Sequence, residues 1–159
     1  MHIGDICTRS VVTCRRDASV LEVARLMRDR HVGDVIVVDE GEGRQTPVGI
    51  VTDRDLVVAV LAVGISAEGL RAGDLIVDEV VTAFESELVY DAIWHMRSQG
   101  IRRLPIVDAQ CHLSGVLTAD DVTRFLAEEL SSVARIVPRQ ITKEEATRAP
   151  VGPAGSFSK

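Results

Sequence analysis

The chain of 159 residues carries one pattern twice, and this repetition limits the fold more than any other feature. The segment GDICTRSVVT at 4–13 aligns with GDLIVDEVVT at 73–82, which lies 69 residues further on. The apolar runs VIVVD at 35–39 and LPIVD at 104–108 keep the same offset. One copy is too small to bury its own sheet face. We therefore expect the two copies to pack against each other about a pseudo-twofold axis, which creates two equivalent clefts.

Hydrophobic spacing predicts the same order of elements in each copy. Apolar residues recur at steps of three and four over 20–27 and again over 89–96, as on an amphipathic helix. A β-branched run, a polar turn and a second short strand follow, which is typical of a hairpin. A further helix is expected at about 53–63 and at about 119–137. The prediction is a mixed α/β fold (α+β) of two βαββα units, with the sheets face to face and the helices outside.

These patterns also predict the domain boundaries. The first unit spans 1–66 and the second spans 67–137, and the stretch GISAEGLRAG at 64–73 connects them. Residues 138–159 lose the periodicity and gain Pro, Gly, Ser and charge, so we expect a flexible C-terminal tail, to which no function is assigned.

Composition excludes several classes of protein. Apolar residues make up 46% of the chain and aromatic residues 3%, so aliphatic side chains must fill the core. The net charge of -6 argues against a nucleic-acid partner, which requires clustered Lys and Arg. The longest apolar run, at 56–63, is too short to cross a bilayer. Three cysteines and no apolar leader favour the cytoplasm, without membrane association.

A Gly-x-x-Thr-x-x-Asp motif closes each predicted hairpin, as GIVTDRD at 49–55 and GVLTADD at 115–121. One interpretation is helix capping, in which the Thr is the N-cap and the Asp reaches back to a free amide. A second is ligand binding, because a capping box requires no Gly, and a missing side chain lets another group approach the backbone. Helix N-termini also attract anions such as phosphate. The two interpretations are compatible with each other.

The two predicted clefts differ in charge. Arg102 and Arg103 precede the strand of the second copy, and Gly33 and Asp34 take the equivalent positions in the first. The arginines are either a solvated face or phosphate-binding groups beside the helix N-terminus. Asp34 would repel a polyphosphate, which Arg54 would offset by pointing back toward the phosphates. On this basis the second copy holds the better anion site.

Together these motifs resemble those of a pair of CBS domains, also called a Bateman module, over about residues 3–130. The layout is similar to that of small stand-alone bacterial two-CBS proteins. The resemblance implies that the motif Asp holds the ribose hydroxyls, that the Thr contacts phosphate or ribose, and that apolar residues flank the adenine. For the better nucleotide site it implies Thr118, Asp121, Arg102, Arg103, Val12 and Val20. For the second nucleotide site it implies Thr52, Asp55, Arg54, Val81 and Val89.

The resulting hypothesis is a regulatory module for signal transduction that senses an adenosine nucleotide (AMP, ADP, ATP or a related adenosyl ligand) by a shift of conformational populations. The alternative is a ligand-independent scaffold for dimerisation and protein interaction. The sequence does not choose among the adenine nucleotides, NAD and S-adenosylmethionine, or between one and two occupied clefts. It does not name a downstream protein partner.

Other chemistry has little support in the sequence. The cysteines, His31 and His112 lack the spacing of a zinc site, and neither a P-loop nor GxGxxG is present. We therefore expect no metal, no required cofactor, no catalytic residues and no enzymatic activity. Redox sensing through Cys7 and Cys14 is a weaker alternative. The helix DLVVAVLAVG at 55–64 is apolar almost all round, so it is either fully buried or part of a homodimer interface, which the resemblance favours.

Overall fold

A computed structural model describes residues 1–41 and 43–148 of the chain. Its elements are β1 (Thr13–Arg15), α1 (Val20–Arg30), β2 (Asp34–Gly41), β3 (Arg44–Thr52), α2 (Asp53–Asp55, continued as a π-helix over Leu56–Leu61), β4 (Ala83–Phe84), α3 (Val89–Gln99), β5 (Arg103–Val107), β6 (Leu113–Thr118), α4 (Ala119–Ala134) and α5 (Ile136–Thr147). The predicted order of strand, helix, strand, strand, helix therefore occurs twice.

Each repeat forms a three-stranded mixed sheet. In the first repeat β1 pairs in parallel with β2, and β2 pairs antiparallel with β3. In the second repeat β4, β5 and β6 pair in the same way. A bulge interrupts the β2–β3 register at Val37/Val38 and the β5–β6 register at Ile106/Val107, which are equivalent positions of the repeat.

The alternation of side chains along β2 separates two hydrophobic layers. Val35 and Val37 face one side and pack with Val23 and Met27 of α1. Ile36 and Val38 face the other side, in a cluster that includes Val116 of β6 and the partly buried Val11, Ile50 and Leu113. The two sheets therefore pack face to face through this central cluster, as the sequence predicts.

The N-terminal segments of the two repeats are exchanged. Ile3 is fully buried in the core of the second repeat, and its amide donates to the carbonyl of Glu87 at 2.8 Å. Ala72 is likewise buried in the core of the first repeat, and its amide donates to the carbonyl of Ala18 at 2.8 Å. Because of this exchange, a boundary at 66/67 along the chain does not separate the two hydrophobic cores.

Both repeats lie in one compact unit, Met1–Val122. The chain from Thr123 forms a second unit, which contains the rest of α4 and α5. The sequence predicts that the helix after β6 extends to about residue 137 and that no regular structure follows, whereas the helix ends at Ala134 and α5 follows. Pro138 stands in the first turn of α5, where a missing amide costs no hydrogen bond. Residues 149–159 of the predicted tail lie outside the described residues.

Candidate functional site

Both Thr-x-x-Asp motifs form complete capping boxes at the junction of a strand and a helix. Oδ2 of Asp55 accepts from the Thr52 amide at 2.8 Å and from the Thr52 hydroxyl at 2.7 Å, and the Asp55 amide donates back to Thr52 Oγ1 at 3.2 Å. The corresponding distances for Thr118 and Asp121 are 3.0, 2.6 and 3.1 Å. Helix capping is therefore a property of both motifs. Because each Thr hydroxyl donates to its Asp, that proton is not available to a phosphate oxygen in this arrangement.

The motif glycines make room for the exchanged segments of the protein itself. A Cβ at Gly115 would lie 2.9 Å from Sγ of Cys7 and 3.0 Å from the carbonyl oxygen of Thr8. A Cβ at Gly49 would overlap the side chain of Ile76. The sequence interpretation expected another group to approach this backbone, and in the structure that group is the N-terminal segment of the other repeat.

In one repeat the exchanged segment is hydrogen-bonded to the strand that leads to Thr118 and Asp121, and we call this cleft the closed cleft; in the other repeat a cavity remains. On the second repeat, Thr8 and Val116 exchange two backbone hydrogen bonds of 2.9 Å. Arg9 extends this contact, because its guanidinium donates to the Ser114 carbonyl at 3.2 Å and pairs with Glu85 at 2.7 Å. On the first repeat the equivalent segment leaves a cavity of about 620 Å³. We call this cavity the open cleft; its lining residues are Gly49, Ile50, Asp55, Leu75, Ile76, Val77, Asp78, Glu79, Val80, Val81, Gln99, Ile101 and Arg103.

The open cleft brings together predicted site residues from both repeats. Asp55 comes from the first repeat, and Val81 and Arg103 come from the second. The Arg103 backbone pairs with Thr118 on β6, but its side chain crosses to the first repeat and forms an ion pair with Asp34 at 2.5 Å. The resemblance places Arg103 with Thr118 and Asp121, whereas in the structure this residue lines the cleft of Asp55. Asp34, expected to repel a ligand, neutralises this arginine.

The remaining predicted residues take other positions. Val20 and Val89 begin α1 and α3 and are only 3% and 1% exposed, so neither has surface available to an adenine ring in this conformation. Val12 is partly buried against the first core. Arg54 and Arg102 are exposed, and neither side chain forms a hydrogen bond or ion pair with another residue among those described.

The sequence motifs do not identify residues 75–80, which form one wall of the open cleft. Asp78 and Glu79 in that wall are exposed, and their equivalents in the first repeat are Arg9 and Ser10. The 69-residue offset could have identified these positions, because the segments that precede the first strands belong to the duplicated pattern. Gln99 and Ile101 at the end of α3 were also missed, and no local motif marks them.

Two groups near the closed cleft have shifted pKa values, each for a different reason. The hydrogen bond from Arg9 lowers the pKa of Glu85, and burial raises the pKa of the Cys7 thiol. A cavity of about 840 Å³ lies between the two hairpin loops, lined by residues on either side of the β2–β3 and β5–β6 turns. Among the described residues, no group of three His, Cys, Asp or Glu side chains is placed to hold a metal, and no helix is long and apolar enough to span a membrane.

Comparison with known proteins gives a family match. The model of the family described as CBS domain matches residues 3–62 and 72–128. An uncharacterised protein of Methanopyrus kandleri is 36% identical over 122 residues, which cover 77% of this chain. The chain spans 61% of the length of that relative.

Solved structures give the same fold with bound ligands. A CBS domain protein from Pyrobaculum aerophilum, complexed with AMP, is 25% identical and has a TM-score of 0.72, with 83% of this chain and 99% of that one covered. The CBS domain pair of the protein MJ0100, in complex with 5′-methylthioadenosine and S-adenosyl-L-methionine, is 25% identical and has a TM-score of 0.66, with 79% and 99% covered.

Proposed function

The chain belongs to the CBS domain family, and from this premise we propose that it is a regulatory module that binds an adenosine nucleotide or a related adenosyl ligand between its two repeats. The observation that carries the proposal is the open cleft, which presents a motif carboxylate from one repeat to apolar and basic side chains of the other. The AMP bound by the Pyrobaculum aerophilum protein and the adenosyl ligands bound by the MJ0100 domain pair support it.

The lining chemistry of the open cleft suits a nucleoside. Both capping hydrogen bonds of Asp55 use Oδ2, and no hydrogen bond from a described residue reaches Oδ1. This second oxygen is available to the vicinal hydroxyls of a ribose, which donate hydrogen bonds to a carboxylate. Ile50, Val81 and Ile101 provide apolar walls for a base. A volume of about 620 Å³ lies within the range of small-molecule sites.

The proposed mechanism is a shift of conformational populations. A ligand that contacts Asp55 of the first repeat and Val81 and Arg103 of the second stabilises one relative arrangement of the repeats. It shifts the equilibrium by no more than the difference between its affinities for the two arrangements. The module would report this change to a protein partner. We place it in the cytoplasm, in keeping with its three free cysteines, and assign it a regulatory rather than a catalytic role.

The cleft at Thr118 and Asp121, with Arg102 beside it, is proposed as a second site. Its occupation requires the segment at 7–9 to move away from β6, because the Thr8–Val116 hydrogen bonds hold that segment against the strand. Asp121 is also only 7% exposed. We therefore expect the open cleft to bind first.

Substitution of the two motif carboxylates tests this proposal against the scaffold alternative. We expect Asp55→Ala to weaken adenosyl binding at least tenfold and to cost only about 1 kcal/mol of stability, the usual value of a cap. Asp121→Ala is the matched comparison, because it removes the same capping box from the second repeat, and we expect it to leave binding to the open cleft unchanged. Calorimetric titration with AMP, ADP, ATP, NAD and S-adenosylmethionine, together with urea unfolding, measures both quantities.

Two outcomes would count against the proposal. If none of these ligands binds the intact chain at millimolar concentration, the scaffold alternative is favoured. If Asp121→Ala abolishes binding while Asp55→Ala does not, the closed cleft is the site and the assignment of the open cleft is wrong.

A further inference from the structure

The open cleft contains more acidic than basic side chains. Its charged lining residues are Asp55, Asp78, Glu79 and Arg103. Asp78 and Glu79 lie in the segment that precedes β4 and are exposed. Three acidic residues and one basic residue therefore line the same cavity.

The one basic residue of this lining is already neutralised. Arg103 Nε lies 2.5 Å from Oδ1 of Asp34, and the two side chains are 32% and 18% exposed. A phosphate group that enters the cleft must either compete with Asp34 for this guanidinium or bind without a cation. Arg54 lies nearby in sequence, but it is not part of the lining and stands between Asp53 and Asp55.

The acidic pair Asp78 and Glu79 is not repeated at the equivalent positions of the first repeat. The positions equivalent to Asp78 and Glu79 in the first repeat are Arg9 and Ser10. Arg9 lies at the closed cleft, where it pairs with Glu85. The segments that precede the first strands of the two repeats therefore differ in charge. The repeats also differ at the equivalent positions Arg103 and Asp34.

We propose that the open cleft selects adenosyl ligands whose 5′ substituent is uncharged or positively charged, over ligands that carry phosphate. This inference rests on the proposed function, because it assumes that an adenosyl group occupies the cleft. The carboxylates of Asp78 and Glu79 attract a positively charged sulfonium group and repel a negatively charged phosphate. A thioether carries no charge, so they neither attract nor repel it. The selection is electrostatic, so it weakens as added salt screens the charges.

The experiment is a set of calorimetric titrations of the intact chain at low salt. The probes are S-adenosylmethionine, 5′-methylthioadenosine, AMP and ATP, which share the adenosine and differ in the charge of the 5′ group. We expect S-adenosylmethionine to bind at least tenfold more tightly than AMP, and ATP to bind more weakly than AMP. Raising the salt concentration to about 0.5 M should narrow this difference.

Charge-neutralising variants locate the source of the selection. Asp78→Asn combined with Glu79→Gln should reduce the preference for S-adenosylmethionine over AMP at least threefold. Asp34→Asn should strengthen AMP binding, because it frees Arg103. Asp29→Asn is the control, an exposed carboxylate on α1 outside the cleft lining.

The outcomes separate this inference from the proposed function. Equal or tighter binding of AMP overturns the inference and leaves the proposed function intact. An unchanged preference in the Asp78→Asn/Glu79→Gln variant also overturns the inference, since the selection then arises elsewhere. Absence of binding by all four probes overturns the proposed function.

Discussion

At the residue scale, each motif Thr uses its hydroxyl proton on the Asp three residues later. The hydroxyl of Thr52 donates to Asp55, and the hydroxyl of Thr118 donates to Asp121. These bonds position both carboxylates, and at Asp55 they leave Oδ1, rather than the Thr52 hydroxyl proton, for the proposed ligand. The Asp is therefore the more informative of the two residues to substitute.

The three cysteines differ in burial, and this difference predicts their reactivity. Burial raises the pKa of Cys14 to about 11 and also raises the pKa of Cys7, whereas Cys111 is exposed after β5. Only the thiolate reacts with alkylating agents. At pH 8 we therefore expect Cys111 to be labelled first, Cys7 next, and Cys14 at least tenfold more slowly than Cys111.

Mass spectrometry of the intact chain during labelling with iodoacetamide measures these rates. Raising the pH toward 11 should accelerate the labelling of Cys14, because the thiolate fraction of a group with a raised pKa grows only at higher pH. In denaturant the three rates should become similar. Rapid labelling of Cys14 in the folded chain at pH 8 would contradict its buried position.

At the element scale, α1 and α3 end in the same left-handed backbone conformation but with different residues. His31 ends α1 at φ 54° and ψ 42°, and Gly100, its equivalent in the second repeat, ends α3 at φ 66° and ψ 28°. Gly adopts this conformation without a Cβ clash, whereas a residue with a Cβ is strained there. His31, to which the sequence assigns no role, is thus the C-cap of α1.

The predicted consequence is that His31→Gly stabilises the chain by about 0.5–1 kcal/mol, since relief of strain exceeds the added entropy of the unfolded chain. Gly100→Ala should destabilise it by about 1 kcal/mol for the opposite reason. Urea unfolding measures both changes. Asp29→Gly, inside α1, serves as a control and should destabilise the chain. A destabilising effect of His31→Gly would show that its side chain has a role beyond the cap.

The helix after the first motif is not fully buried, which excludes one of the two alternatives drawn from the sequence. Among its residues, Val57, Val58 and Leu61 are exposed and only Val60 is buried. The segment also turns as a π-helix, which is uncommon and often found at functional positions. The helix is therefore not a fully buried one, and its apolar face is available to a partner.

At the scale of the whole molecule, exposed apolar side chains on α2 and α3 predict a homodimer. Leu61 is 72% exposed and Trp94 is 65% exposed, and Tyr90 lies one turn before Trp94. Exposed apolar side chains grouped on a helix face are typical of interaction surfaces. We propose that these two faces bind a second copy of the chain.

Analytical ultracentrifugation tests the dimer. The unmodified chain should sediment at twice the mass of one chain, and Leu61→Glu together with Trp94→Glu should shift it to the monomer, because charges would be buried at the interface. Thr46→Glu, on the exposed surface of β3, should leave the mass unchanged. A monomeric unmodified chain at micromolar concentration would exclude this interface.

The ion pair between Arg103 and Asp34 links the two repeats at equivalent positions, so it lies where the pseudo-twofold relation brings the copies together. The duplication by itself would place the same environment at positions 34 and 103. The acidic and basic side chains placed there make the two clefts different. A ligand that competes for either partner would act on the arrangement of the repeats.

Much of the fold can be predicted from the sequence, because the spacing of residues close together in the chain determines its helices, strands and caps. Steps of three and four residues predicted the helices that bury Val23 and Met27, and the Thr-x-x-Asp spacing predicted both capping boxes. The duplication itself, visible at an offset of 69 residues, predicted the paired sheets. These features depend on neighbours in the chain or on one repeated pattern.

Only the tertiary structure decided which cleft is open and which side chains line it. Three features decide it, and each joins residues far apart in the chain. They are the exchange of Ile3 and Ala72 between the cores, the pairing of Thr8 with Val116, and the ion pair of Arg103 with Asp34. Such contacts depend on how closely each exchanged segment approaches the opposite sheet. No local pattern encodes that distance, because it results from the packing of both cores at once.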